Sequence, residues 1–273
     1  MKNILFMLML FSFSNYQKDN DLKVISYNIR YNNLNDGINK WDNRKETVFN
    51  FLNNEFSDFI GMQEVLENQL NELVINLNDY SFIGIGREDG KNKGEFSPIF
   101  YLKDSYSLIK TNTFWLSESP EKVSIGWDAA LERICTYGYF ESIKTKKRFW
   151  VFNTHFDHMG EIARKKSTEL IISKIYELNK EKDPVVLMGD FNLIPISDPI
   201  KILTKEFVDS FSVNSNNLIG TYNGFKKSYD NNMRIDYIFS KGLDLKSFEH
   251  VPVKTLYGGW ASDHHPVKAL FNF

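Results

Sequence analysis

A mixed α/β sandwich, folded as one domain, is the architecture this sequence predicts, and three observations predict it. Short apolar runs rich in β-favouring residues recur from one end of the chain to the other. Stretches with apolar residues at helical spacing separate some of these runs, whereas others follow one another directly, which fits a sandwich better than a strictly alternating barrel. No internal repeat, long Pro/Gly linker or change of composition marks a domain boundary.

At the start of the chain, Met1, Lys2 and Asn3 precede the apolar run Ile4 to Phe13, which ends among the small residues Ser12 and Ser14. This is the pattern of an export signal cleaved near Ser14. Residues 1–14 are therefore expected to be a signal peptide, residues 15–20 a polar linker and residues 21–273 the domain, in a periplasmic or secreted protein. The alternatives are a buried helix or a membrane anchor, for which the run is short.

Strand-like runs follow at Leu22 to Ile29, Phe59 to Met62, Tyr80 to Ile85, Ile99 to Leu102, Ile134 to Phe140 and Phe149 to Thr154. Later ones are Val185 to Met188, Ile235 to Phe239 and Val267 to Phe271. Helical spacing puts Trp41, Lys45, Val48 and Leu52 on one face, and Leu66, Leu70, Leu73, Val74 and Leu77 on another. A third helix is expected over Glu161 to Leu178 with Ile162, Leu170, Ile171, Ile175 and Leu178 inward, and Asp198 followed by Pro199 caps and opens a fourth. The segments Gly86 to Gly94 and Lys144 to Lys147 read as turns whose charges face solvent.

Bulk properties exclude more than they assign. At 273 residues, 42% hydrophobic and 25% charged, the chain is an ordinary globular protein, neither disordered nor fibrous. Its formal charge of -2 argues against binding polyanions through a broad basic surface. Cys135 is the only cysteine, so no intrachain disulfide forms, and its place in an apolar run reads as a buried, inert thiol.

The polar residues that need explaining stand at the ends of apolar runs: Asn28, Glu64, His155 with Asp157, Asp190 with Asn192, Asp236, and Asp263 with His264. A sandwich gathers such ends at one rim. Strand alternation would set Asp190 and Asn192 on one side of the turn Gly189-Asp190-Phe191-Asn192, with Phe191 toward the core. An oxygen-rich cluster without cysteine suits magnesium or manganese rather than structural zinc, with Glu64, Asn28 and Asp263 as the expected ligands. Metal, carboxylates and histidines together supply what phosphoester hydrolysis needs, a positioned water and charge neutralisation. Each fragment alone also has a plain structural reading, as an Asx-turn, a helix cap, a surface ion pair or a hydrogen-bonded core histidine.

Taken in order, Tyr27-Asn28, Gln63-Glu64, Asn153-Thr154-His155, Gly189-Asp190-Phe191-Asn192, Arg234-Ile235-Asp236-Tyr237 and Ser262-Asp263-His264 resemble the endonuclease/exonuclease/phosphatase superfamily, from Leu22 to the C-terminus. The resemblance implies a four-layered, deoxyribonuclease I-like sandwich of two packed mixed sheets flanked by helices, with the active site at one edge. It implies that Glu64 binds the metal with help from Asn28, with Asp263 beside it. Asp190 would orient or deprotonate the attacking water, and Asn192 would hold that water or a phosphoryl oxygen. His264 resembles the histidine paired with a carboxylate, here Asp236. His155 resembles a second histidine supported by a glutamate, matched by Glu95. His264 and Asp190 are accordingly assigned to water activation and His155 to the phosphate or leaving group. Arg133 resembles the arginine set near the scissile phosphate, the alternative being a surface ion pair with Glu132. Asp157 and His158 remain without a role.

The expected protein is thus a metal-dependent phosphodiesterase or phosphatase, monomeric and without an obligate protein partner. The segments Phe114-Trp115-Leu116-Ser117 and Gly126-Trp127-Asp128-Ala129-Ala130 resemble those of a secreted bacterial subgroup. Nucleic acid, a nucleotide, a sugar phosphate and a lipid headgroup all remain open as substrates, and Trp115, Trp127 and Trp260 read either as packing residues or as stacking platforms. Two other function classes stand beside the enzyme: an inactive phosphate- or nucleic-acid-binding module on the same fold, and a generic exported binding protein whose motifs merely cap turns.

Overall fold

The first apolar run forms β1 (Asp21–Asn28), after which two short 3-10 turns lead into α1 (Lys45–Glu55). The computed structural model describes residues 21–213 and 219–273, so the expected export signal and linker lie outside the described residues. The chain continues through β2 (Phe59–Gln63), α2 (Glu67–Asn76), β3 (Tyr80–Ile83), β4 (Ile99–Leu102), β5 (Tyr106–Trp115), β6 (Ile134–Ser142) and β7 (Arg148–His155). It ends with α3 (Glu161–Leu178), β8 (Val185–Asp190), α4 (Asp198–Glu206), the two-residue β9 (Val208–Asp209), β10 (Asp236–Lys241), β11 (Asp244–His250) and β12 (Val267–Asn272). No helix among the described residues is long and apolar enough to cross a membrane.

The strands make two six-stranded mixed sheets, ordered β11-β12-β1-β2-β4-β3 and β5-β6-β7-β8-β10-β9. Period-two alternation assigns each face of the second sheet. Phe149, Val151, Val186, Met188 and Ile238 point into the core shared with the first sheet. Their neighbours Trp150, Phe152, Val185, Leu187, Tyr237 and Phe239 point outward, under Ile171 and Ile175 of α3 and Ile200 and Leu203 of α4. Val48, Phe49 and Leu52 of α1 and Leu70 and Leu73 of α2 join the core of the first sheet. The result is the expected sandwich of two mixed sheets flanked by helices.

Between the sheets lies a buried polar bridge. Gln63 Nε2 donates to Asn153 Oδ1 at 2.7 Å, and Asn153 Nδ2 donates to the carbonyls of Met62 at 2.7 Å and Pro98 at 2.8 Å. The sheets approach closely here: a Cβ on Gly61 would lie 2.6 Å from Met188 Cε and 2.8 Å from Asn153 Cγ. Glycine is required at the first sheet's side of the bridge.

Two parallel pairs position the site. β1 runs parallel to β2, so Asn28 and Gln63 end side by side. β7 runs parallel to β8, which ends His155 beside Asp190, and antiparallel β10 sets its first residue, Asp236, opposite Asp190. Gly189 lets β7 and β8 meet there, because its φ of +150° and a Cβ position 2.0 Å from the Thr154 carbonyl oxygen leave no room for a side chain.

Several local expectations are corrected. Val74 and Ile162 are exposed, since neighbouring Leu73 and Ala163 take the inward positions. Ser197 rather than Asp198 occupies the N-cap position of α4, and its side chain makes no capping hydrogen bond. The Gly86 to Gly94 loop is not wholly solvent-facing: Arg87 is buried and makes a bidentate ion pair to Glu95 at 2.9 Å. β5 and β11 were not foreseen.

Candidate active site

The rim where β1, β2, β7, β8 and β10 meet encloses a cavity of about 450 Å³. Glu64, Glu95, Arg133, His155, Asp190, Asn192, Asp263 and His264 line it. Asn28 and Asp236, both fully buried, stand behind the lining and bond to it. All ten sequence-predicted residues are therefore brought to one place.

Their contacts form one chain. His264 Nδ1 lies 2.9 Å from Asp236 Oδ2, and its Nε2 lies 3.7 Å from Asp190 Oδ2. Asn28 Nδ2 donates at 3.0 Å to both Asp190 Oδ2 and Glu64 Oε1. Its Oδ1 accepts the Arg30 backbone N–H at 3.0 Å, so Asn28 turns its amide nitrogen, not its oxygen, toward the carboxylates. In this arrangement Asn28 aligns Glu64 and Asp190 rather than offering a metal-binding oxygen. Glu64 sits at a φ of +59°, a left-handed conformation held by the Tyr31 N–H donating to its Oε2 at 3.1 Å.

Asn192 reaches the site by a route other than strand alternation. β8 ends at Asp190, and Asn192 adopts a φ of +49° with its N–H donating to Asp190 Oδ1 at 2.9 Å. Its Nδ2 donates to the Phe156 carbonyl at 3.0 Å and lies 3.1 Å from His155 Nε2. Because Asn192 is the donor, His155 Nε2 accepts, and the imidazole proton sits on Nδ1, 3.7 Å from Glu95 Oε2. Glu95 stands in the loop before β4 rather than on a strand, and its hydrogen bonds go to Arg87.

Arg133 is buried, not paired with Glu132 at the surface. Its Nε lies 3.4 Å from Asp157 Oδ2, its Nη2 lies 3.1 Å from His158 Nδ1, and its buried Nη1 has no hydrogen-bond partner among the described residues. Asp157 and His158 thus gain a role in fixing this guanidinium. Three residues escaped sequence reasoning. Arg30 reaches between Glu64 and Asp263, at 3.8 and 3.9 Å, while bonding Asp36 bidentately at 3.0 Å. Arg87 holds Glu95, and Thr221 Oγ1 accepts the backbone N–H groups of Ile235 and Asp236 at 2.9 and 3.1 Å. Only Arg30, two residues beyond Asn28, carried a local signal.

Burial and neighbouring charge divide the titratable groups. Burial, reinforced by Asp236, pushes the Asp190 carboxyl up to about 7. Burial opposes a charge on His264, but Asp236 and Asp190 hold its imidazolium well above the ordinary histidine value. Burial and the Arg133 charge drive His155 well below that value. Burial, with Glu64 adding to it, raises Asp263. A carboxyl raised into the neutral range, an imidazole held cationic and an imidazole held neutral thus face the same cavity.

Two groups offer a place for a divalent ion. Ligand atoms of Asp190, Asp236 and His264 lie within 4.8 Å of one another, all buried, although Asp236 and His264 are already hydrogen-bonded together. Glu64 and Asp263 offer an all-oxygen alternative, sharing one guanidinium at distances longer than a hydrogen bond. The latter fits a hard cation better, because its ligand atoms are all carboxylate oxygens and the Arg30 guanidinium they share makes its hydrogen bonds to Asp36 instead.

A sandwich edge with carboxylates, a carboxylate–histidine pair and a buried arginine defines a hydrolytic centre of the phosphoester class. The chain belongs to the Endonuclease/Exonuclease/phosphatase family, whose sequence profile matches residues 25–264 and whose members are phosphoester hydrolases generally using a divalent metal. It is similar to the endonuclease/exonuclease/phosphatase of Bacteroides vulgatus, at 39% identity and a TM-score of 0.87 over 92% of this chain and 98% of that one. It is also similar to a mannosyl-6-phosphatase of Bacteroides thetaiotaomicron, at 34% identity and a TM-score of 0.88 over 92% of this chain and 100% of that one. An uncharacterized protein of Acanthamoeba polyphaga mimivirus is 28% identical over 255 residues, 86% of this chain and 93% of the viral protein.

Proposed function

We propose that this protein is a divalent-metal-dependent phosphoester hydrolase that acts outside the cytoplasm, with a sugar phosphate as its substrate class. The observation that carries the reading is the continuous chain of contacts from Asp236 through His264, Asp190 and Asn28 to Glu64, with Arg133 lining the same cavity. The similarity to a mannosyl-6-phosphatase supports the substrate class, and the apolar run after Lys2 supports export.

Glu64 and Asp263 would hold the metal, which when bound supplies Lewis-acid neutralisation of phosphoryl charge. The remaining roles follow from charge state. Asp190 accepts the proton of the attacking water, because burial has raised its basicity into the neutral range. His264, kept cationic by Asp236, offsets the charge developing on the phosphoryl oxygens, so the two residues divide water activation and charge stabilisation between them. Asn192 and neutral His155 orient the water and phosphate, and Arg133 binds the phosphate through its guanidinium.

The test is a hydrolysis screen with magnesium or manganese over p-nitrophenyl phosphate, bis-p-nitrophenyl phosphate, mannose 6-phosphate and plasmid DNA. Wild type is expected to turn over monoesters, and His264→Ala to lose about 10²–10⁴-fold in rate. Undiminished hydrolysis by His264→Ala removes the site assignment, and DNA as the preferred substrate removes the substrate class.

A further inference from the structure

A second cavity, of about 540 Å³, shares no lining residue with the carboxylate pocket. Its walls come from the 3-10 segment around Asn39, the turn carrying Phe225 and Lys227, and the turn closed by pairing of Lys254 with Trp260. The lining includes Lys227 and Lys254 and no carboxylate, whereas the neighbouring pocket is lined by Glu64, Glu95, Asp190 and Asp263. A cationic or amine-rich ligand is therefore disfavoured here, and an anionic or hydroxyl-rich one is favoured.

Three rings shape the space. Trp260 is fixed by its Nε1 donating to the Lys226 carbonyl at 2.7 Å and by an edge contact with His265 at 4.7 Å. Lys254 Nζ stands 5.3 Å from its ring centroid. Tyr257 is 82% exposed at the tip of its turn, an exposure that folding does not require. The Asn39 amide and the Lys227 ammonium have no hydrogen-bond partner among the described residues. Aromatic faces bordered by free N–H donors match the apolar C–H face and hydroxyl rim of a sugar ring.

The two cavities are joined through shared loops. Arg44 donates from Nη2 to the Arg30 carbonyl at 2.7 Å and from Nη1 to the Ala261 carbonyl at 3.0 Å, tying the wall of the second cavity to residues flanking Asn28 and Asp263. The Asn223 N–H donates to the Asp263 carbonyl at 2.8 Å, two residues before Phe225.

We infer that this second cavity is a carbohydrate subsite, which holds the further sugar rings of a phosphorylated oligosaccharide whose phosphate enters the carboxylate pocket. The inference rests on the phosphoester hydrolysis proposed above, and its test separates the two. Calorimetric titration of neutral disaccharides (mannobiose, maltose, cellobiose and lactose) and of AMP into the full chain measures the subsite without turnover. At least one disaccharide is expected to bind wild type and to bind Tyr257→Ala and Lys227→Ala about tenfold more weakly, close to 1.4 kcal/mol. In parallel, both variants are expected to raise KM for 6-phosphomannobiose about tenfold while p-nitrophenyl phosphate hydrolysis stays within about twofold. Absence of disaccharide binding to wild type, binding insensitive to both variants, or Tyr257-dependent binding of AMP alone each overturns the subsite. Disaccharide binding through Tyr257 in a protein that hydrolyses no phosphoester would keep the subsite and overturn the hydrolase.

Discussion

At the scale of single residues, Asp190 bears two demands at once: it is fully enclosed, and it accepts hydrogen bonds from Asn28 Nδ2 and the Asn192 N–H. Asp190→Asn keeps the shape and removes the basicity, so the expected outcome is a loss of about 10²–10⁴-fold in kcat/KM with an unchanged unfolding midpoint. Because the carboxyl is raised from 3.8 to about 7, its base form is lost as pH falls. The pH profile of kcat/KM is therefore expected to drop on the acid side with a limb at or below about 7, the bound cation drawing it lower, and to lose that limb in Asp190→Asn. Arg133 poses a different question, of geometry against charge. Its guanidinium is set by Asp157 and His158, with no hydrogen bond to Nη1 among the described residues, so Arg133→Lys, which keeps the charge and loses the fork, is expected to lower kcat/KM about tenfold or more. A lysine variant with wild-type kinetics would show that charge alone suffices.

At the scale of elements, the polar bridge between the sheets is the most exacting contact. Asn153→Ala would take one hydrogen bond each from the carbonyls of Met62 and Pro98 and the amide of Gln63 and leave a buried gap between the sheets, and is expected to cost about 2–4 kcal/mol in urea unfolding. β11 carries a second test. His250 is buried against Phe248 and Phe211, and burial lowers its pKa below 6.5. The unfolded chain then binds the extra proton between that lowered value and 6.5, so this histidine's contribution is favourable at pH 7.5 and is lost as pH falls through 6.5. Wild type is expected to lose more unfolding midpoint than His250→Gln between pH 7.5 and 5.5, and an equal loss would contradict the assignment. The same elements show what sequence pattern reveals. Central strands such as β7 and β8 were legible because both faces are covered and each carries an unbroken run of four apolar residues, Phe149 to Phe152 and Val185 to Met188. β5 and β11 stand at sheet edges with exposed Lys110, Thr111, Asn112, Lys246 and Ser247, and an edge strand with a wet face leaves no apolar run to read.

At the scale of the whole molecule, the site was legible because parallel pairing carries the ends of β1, β2, β7 and β8 to one rim, so a polar residue terminating an apolar run is a polar residue in the pocket. Asn28, Glu64, His155 and Asp190 were found that way. Arg30, Arg87 and Thr221 were not, since their positions are set by loop contacts with Asp36, Glu95 and the Asp236 backbone, which leave no strand or helix pattern to read. The carboxylate-free lining of the second cavity is likewise assembled from three distant segments and has no signature in any one of them. Export is checked separately, by N-terminal sequencing of the protein released from cells, which is expected to begin near Asn15. The most direct measurement of the central claim is the initial rate of mannose 6-phosphate and p-nitrophenyl phosphate hydrolysis by wild type and Glu64→Gln, with chelator and with magnesium restored. Wild type is expected to lose about a hundredfold or more in chelator and to recover fully with magnesium, while Glu64→Gln stays low at all but the highest magnesium concentrations. Hydrolysis that survives both the chelator and the loss of the Glu64 carboxylate would contradict a metal-dependent centre at this rim.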